Sequence, residues 1–262
     1  MDMKSRVNMT RLFVDCDLKE DALIELNSGQ SHYLSSVLRK KIGAELLLFN
    51  GRDGGFLGKV ASSGKRALAV HCTQQILSQT KVSDLWFLFV PIKRIRMDFM
   101  VQKATELGVS KIWPVQSEFG QVKQIREDKL RANMIEAAEQ TERLDLPEIG
   151  NFIELQKVLD TWPEDRTLIV CDETKSEAGQ ARSMLDLTSD LREKTAILIG
   201  PEGGFSKFEL EKLRAHSKCE SVSLGPRILR SDTAAIAALT IFQSNFGDWY
   251  DKSKNLNVEQ KC

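Results

Sequence analysis

The chemistry in this chain concentrates in one stretch, Ile199-Gly200-Pro201-Glu202-Gly203-Gly204-Phe205-Ser206-Lys207-Phe208-Glu209-Leu210. An apolar run from Thr195 to Ile199 ends in a glycine-rich loop, and Ser206 with Glu209 three residues on marks a helix start as a capping box. Glycines let backbone amides approach a ligand closely, and the C-terminal edge of a parallel sheet is where α/β folds bind ligands. Ile199, Gly200, Glu202, Gly203 and Gly204 are therefore candidate cofactor contacts. Neither Gly-x-Gly-x-x-Gly nor Gly-Lys-[Ser/Thr] occurs, so the loop is neither a dinucleotide fingerprint nor a phosphate-cradling P-loop.

A second glycine-bearing loop follows in Leu224-Gly225-Pro226-Arg227-Ile228-Leu229-Arg230-Ser231-Asp232-Thr233-Ala234-Ala235. It adds Leu224, Gly225, Ile228 and Leu229 to the candidate cofactor contacts and runs into a helix capped by Ser231 or Asp232. Its arginines, Arg227 and Arg230, have the planar fork suited to phosphates and base carbonyls.

Two kinds of element must position these loops. Up to about Leu77 the pattern is short and β-like, with strands expected at Arg11 to Val14, Leu46 to Phe49 and Gly58 to Val60, and turn formers from Asn50 to Gly55. One helix is expected from Ser31 to Lys41, with Leu34, Val37, Leu38 and Ile42 on one face and Gly43 as its stop. These pieces suit a small barrel. After Thr80 strands alternate with helices, the pattern of a mostly parallel, helix-covered sheet. Strands are expected at Trp86 to Val90, Lys111 to Val115, Thr167 to Cys171 and Thr195 to Ile199. Helices are expected after Val90, with Ile95, Met100, Val101, Ala104 and Leu107 inward, at Glu127 to Glu142, and at Asp232 to Phe246. The chain thus reads as two domains, residues 1–78 and 79–262.

Lysine plus arginine equal aspartate plus glutamate, 37 each, so net charge alone names no acidic partner. Locally, Arg39, Lys40, Lys41, Arg52, Lys59, Lys65 and Arg66 outnumber Glu45 and Asp53, a distribution that suits phosphate contact. The five cysteines and three histidines are scattered without metal-ligand or disulfide spacing, so no metal is expected. No apolar run approaches the roughly 20 residues of a membrane span, and Met1 to Arg6 lack a secretory apolar stretch, so a cytoplasmic protein is expected.

Gly-Pro-Glu-Gly-Gly-Phe-Ser-x-x-Glu-Leu followed by Leu-Gly-Pro-Arg-Ile-Leu-Arg-x-x-Thr-Ala resembles the signature of the 16S ribosomal RNA uridine-N3 methyltransferases, the RsmE family of the SPOUT superfamily. These enzymes are named for uridine 1498 of that RNA. The resemblance extends over Arg11 with Phe13-Val14, His32-Tyr33-Leu34, Val37-Leu38-Arg39, Lys93 with Arg96, Lys103 to Val109, and Glu139 to Arg143. It implies a trefoil-knotted α/β methyltransferase domain behind a small PUA-like β-barrel, S-adenosyl-L-methionine as cofactor, and a homodimer that completes the site. The partner would be 16S RNA in the small ribosomal subunit, contacted by Arg11, Arg39, Lys40, Arg52, Lys93, Arg96 and Arg143. Two departures stand out: Ser231-Asp232 replaces a threonine-glutamate pair, and no arginine-serine pair lies near Phe119-Gly120.

Such a reaction makes specific demands. Neutral uracil carries a proton on N3, so a base must remove it before the nitrogen attacks a methyl group, and a donor must hold the resulting anion. Arg230 is the candidate donor, with Asp232 or Glu202 as the base; each carboxylate also has a purely structural reading, as helix cap or loop brace.

Overall fold

The computed structural model describes residues 9–63, 68–80, 82–172, 182–187 and 194–249. The chain divides into two compact units, Met1–Lys81 with Ile135–Leu146, and Val82–Met134 with Pro147–Cys262.

In the first unit, β1 (Arg11–Phe13), β2 (Leu23–Glu25), β3 (Glu45–Phe49), β4 (Gly55–Ser63) and β5 (Leu68–Leu77) form one sheet in the order β1-β3-β4-β5-β2. Only β1 and β3 run parallel; the other pairs are antiparallel. The register between β4 and β5 shifts at three points, and the sheet packs around Leu12, Leu34, Leu46, Leu48 and Val70. The other face of β1 and β3 carries Phe13, Leu47 and Phe49, which pack with Ala138 and Leu144 of the 135–146 segment.

The expected helix from Ser31 to Lys41 is displaced. Asn27 and Gln30 form a capping box that starts α1 (Ser28–His32) earlier, and a π turn, Tyr33–Val37, follows it. Arg39 then adopts φ +51, which ends the helical path, and Val37 and Ile42 are exposed where the helical stripe had placed them inward. Asn50 is buried and organises the turn ahead of β4: its Oδ1 accepts from the Arg52 and Asp53 amides at 2.9 Å each. That turn carries Arg52 on the surface.

The second unit is built on a wholly parallel set of strand pairs. Its strands are β6 (Leu85–Phe89), β7 (Lys111–Gln116), β8 (Glu148–Ile149), β9 (Ile153–Glu154), β10 (Thr167–Cys171), β11 (Arg182–Ser183), β12 (Thr195–Ile199) and β13 (Cys219–Ser223). The order is β11-β13-β10-β12-β6-β7-β8, with β9 also on β7. Helices are α2 (Arg94–Glu106), α3 (Glu127–Gln140, whose second half belongs to the first unit), α4 (Leu155–Asp160), α5 (Lys207–Ala215) and α6 (Ser231–Asn245). β6, β10 and β12 are apolar throughout their centres because helices cover both faces, as parallel sheets require. α2 buries Met100, Val101 and Ala104 as expected, but Ile95 is 86% exposed. α6 packs on α2 and β12 through Ala234, Ala235, Ala238, Leu239 and Phe242.

Candidate functional site

The C-terminal ends of β10, β12 and β13 lie side by side, and the loops that leave them enclose a groove with two lobes. One lobe is walled by Ile199, Gly200, Pro201, Glu202, Gly204 and Arg230, the other by Leu224, Gly225, Pro226 and Arg227. Cys171, Asp172, Ile228, Leu229 and Ala234 border both. The two glycine loops, both read from sequence as contacts of one cofactor, thus border one groove.

Local chemistry fixes the loop shapes. Gly204 has φ +67 and Gly225 φ +123, conformations that side chains rarely adopt. A Cβ on Gly200 would come within 2.9 Å of the Phe205 ring. Gly203 differs from the expectation: it is exposed, lies outside the groove wall, and a Cβ there would meet only Phe119, at 3.8 Å. The expected capping box is present, with the Ser206 hydroxyl accepting from the Glu209 amide at 3.2 Å and Glu209 Oε2 from the Ser206 amide at 2.9 Å. The other carboxylate oxygen of Glu209 accepts from the Glu118 amide at 2.8 Å, which docks the 117–120 loop beside the glycine loop.

The cap of α6 is not the one expected. Arg230 occupies the N-cap position without a side-chain bond. Ser231, buried, donates its hydroxyl to the Gly200 carbonyl at 2.8 Å and so ties the two loops together. Asp232 sits in the first turn of α6, where Oδ1 accepts from the Thr233 amide at 2.9 Å. The Arg230 guanidinium is exposed on the groove and makes no hydrogen bond or ion pair among the described residues. Glu202 is held by Arg96 across a 3.0 Å ion pair, so two candidates assigned to separate tasks bind each other.

Asp172 was not visible as a site residue in the sequence. Its side chain is 2% exposed, borders both lobes, and accepts a 2.8 Å hydrogen bond from Arg214 of α5. Beside it, burial pushes the Cys171 thiol up to about 12, which keeps that sulfur neutral and unreactive near neutral pH. Phe119, 49% exposed against Gly203, occupies the place where the family pattern leads one to look for arginine and serine.

The expected RNA contacts divide into two groups. Arg39, Arg52 and Lys93 are exposed and Lys40 partly so; Arg52 also pairs with Asp17 on the surface at 3.0 Å. Lys65 and Arg66 lie outside the described residues. Arg11 and Arg143 are placed differently from the expectation, because both work inside the first unit. Arg143 is 7% exposed and grips Asp145 through two hydrogen bonds of 2.9 and 3.0 Å. Arg11 donates to the Arg143 carbonyl and lies over the Phe49 ring, and burial lowers its pKa. Arg143 is thus held inside the unit, and Arg11 is partly buried.

Among known proteins, residues 78–243 match the family of RNA methyltransferase domains and residues 26–71 the RNA methyltransferase PUA domain. An RNA methyltransferase with an N-terminal PUA domain is therefore the class of protein in hand. The ribosomal RNA small subunit methyltransferase E of Rickettsia conorii is 36% identical over 231 residues, covering 87% of this chain and 93% of its own. The protein of the same name from Neisseria gonorrhoeae, in a structure bound to S-adenosyl methionine, superposes with TM-score 0.83 at 25% identity, covering 92% of this chain and all of that one. A Legionella pneumophila methyltransferase in complex with the same cofactor gives TM-score 0.81 at 30% identity, covering 92% and 99%. The chain belongs to the ribosomal RNA small subunit methyltransferase E family.

Proposed function

We propose that this protein transfers a methyl group from S-adenosylmethionine to N3 of a uridine in the 16S RNA of the small ribosomal subunit. The observation that carries the reading is the two-lobed groove with the exposed Arg230 guanidinium at its rim. The groove suits the cofactor chemically: apolar Ile199, Ile228, Leu229 and Ala234 offer a shelf for an adenine ring, glycine loops present backbone amides, and Asp172 supplies a buried carboxylate for a cationic group. The bound cofactor supplies the electrophilic methyl group.

The chain's own residues account for the rest. Arg230 donates to the uracil carbonyl that gains charge as N3 loses its proton. Asp232 takes that proton, directly or through water; among the described residues its Oδ2 makes no hydrogen bond, whereas Glu202 is occupied by Arg96. Both residues stand at the start of α6, so one helix end orients donor and base together. Arg39, Lys40, Arg52 and Lys93 are the proposed phosphate contacts, with Arg96 available when its pair with Glu202 opens. The trefoil knot and a homodimer completing the site belong to the same family reading, and a cytoplasmic location is proposed with them. No described helix is long and apolar enough to cross a membrane, and no described cluster of three metal-ligating side chains exists.

The two carboxylates separate in single-turnover methylation of small subunits purified from cells lacking the gene. Asp232→Asn should lower the chemical rate about a hundredfold or more, and Glu202→Gln by less than about tenfold. The reverse order would make Glu202 the base.

A further inference from the structure

We propose that Asp172 reads the charge of the cofactor, favouring the sulfonium of S-adenosylmethionine over the neutral thioether of the product. The inference rests on the cofactor site proposed above and concerns a residue that neither glycine loop contains.

Position and burial carry it. Asp172 follows β10, borders both lobes of the groove, and its side chain is only 2% exposed. Its partner Arg214 is 37% exposed and forms no part of the groove wall. Solvent therefore screens the cation more than the anion, and of the two partners Asp172 borders the groove while Arg214 does not. The remaining charges at the groove are weaker in effect. Glu202 and Arg96 neutralise each other at side-chain exposures of 45% and 39%, and Arg227 and Arg230 are exposed to water. Cys171 contributes no charge. Among the described residues, the least exposed charged side chain bordering the groove is thus the negative one.

That sign matters because the reaction changes the charge of the ligand. Methyl transfer forms the N3–carbon bond and breaks the carbon–sulfur bond, whose electron pair stays on sulfur. The product is one positive charge poorer than the substrate. A buried carboxylate then holds the loaded cofactor more tightly than the spent one and speeds exchange after each turnover.

Calorimetric affinities for S-adenosylmethionine, S-adenosylhomocysteine and sinefungin, which has an amine in place of the methyl sulfonium, test this at fixed ionic strength. Asp172→Asn keeps the shape and an oxygen for Arg214. It should weaken S-adenosylmethionine and sinefungin about tenfold or more, and S-adenosylhomocysteine less than about threefold. The double variant Asp172→Asn with Arg214→Gln removes both members of the ion pair and keeps the test valid if the single variant melts early. Preference for the cationic ligands should fall in the order wild type, double variant, single variant. Equal weakening of all three ligands would make Asp172 a purely structural residue and overturn the proposal. Absence of binding by the wild-type protein would instead remove the cofactor site on which the proposal stands.

Discussion

Glu139 offers a test of how the first unit is held together. It lies near the end of α3, and its Oε1 accepts from the Phe13 amide of β1 at 2.9 Å. Burial pushes its carboxyl from 4.5 up to about 7; the Phe13 bond and the charge of Arg11 pull the other way without offsetting it. Between those pH values the folded chain keeps a proton that the unfolded chain has released. Stability from this group is therefore fully present below pH 4.5 and is lost as pH rises through about 7. At about 1.4 kcal/mol per pH unit the whole loss is on the order of 3 kcal/mol, reduced by the solvent that still reaches the side chain. Glu139→Gln keeps a carbonyl oxygen for the Phe13 amide and cannot ionise. Hydrogen exchange of the β1 amides from pH 4 to pH 8, corrected for intrinsic rates, should show wild-type protection falling up to about a hundredfold relative to the variant. Parallel curves for the two proteins would refute the assignment of this carboxyl as a buried, late-ionising group.

Three further outcomes are expected. Arg230→Lys keeps a charge but loses the fork, so at saturating RNA and cofactor it should react about a hundredfold more slowly in single turnover; a rate within about threefold of wild type would make it a binding residue only. Gly225→Ala, at φ +123, should cost about 1 kcal/mol or more of stability and weaken S-adenosylmethionine binding measured by calorimetry, whereas Gly203→Ala, whose Cβ would make only an ordinary contact with Phe119, should leave both nearly unchanged. Neutralising Arg39 and Lys40 together should flatten the salt dependence of RNA binding by about two phosphate contacts without altering cofactor affinity; an unchanged slope would return them to a solvated surface.

Much of the second unit was legible because its strands are apolar runs in a polar chain. Thr167–Cys171 and Thr195–Ile199 are strands over the residues read from sequence, and the capping box fixed the start of α5 to within one residue. β13 was not legible, since only Val222 of its five residues is buried and its polar composition resembles a loop. The helix of the first unit was misplaced because a short apolar spacing was weighed above the Asn27–Gln30 cap, and two of its four apolar residues turn out to face solvent. The glycine loops declared the site, but their pairing through Ser231 and the Gly200 carbonyl is a tertiary fact. Asp172 carries no local signature; only the alignment of β10 between β12 and β13 brings it to the groove. Arg11 and Arg143 were expected as RNA contacts through the family resemblance, and their burial within the first unit is a tertiary fact that the sequence does not display.

The central claim is a methyl group placed on N3 of a 16S uridine, and one measurement addresses it directly. Small subunits from cells lacking the gene, incubated with the purified protein and methyl-labelled S-adenosylmethionine, can be digested to nucleosides and resolved by mass spectrometry against N3-methyluridine and 2′-O-methyluridine standards. The account predicts label in N3-methyluridine at a single 16S position, absent when Arg230→Ala replaces the wild-type protein. Label in a ribose-methylated nucleoside, or no incorporation by a protein that binds the cofactor, would contradict it.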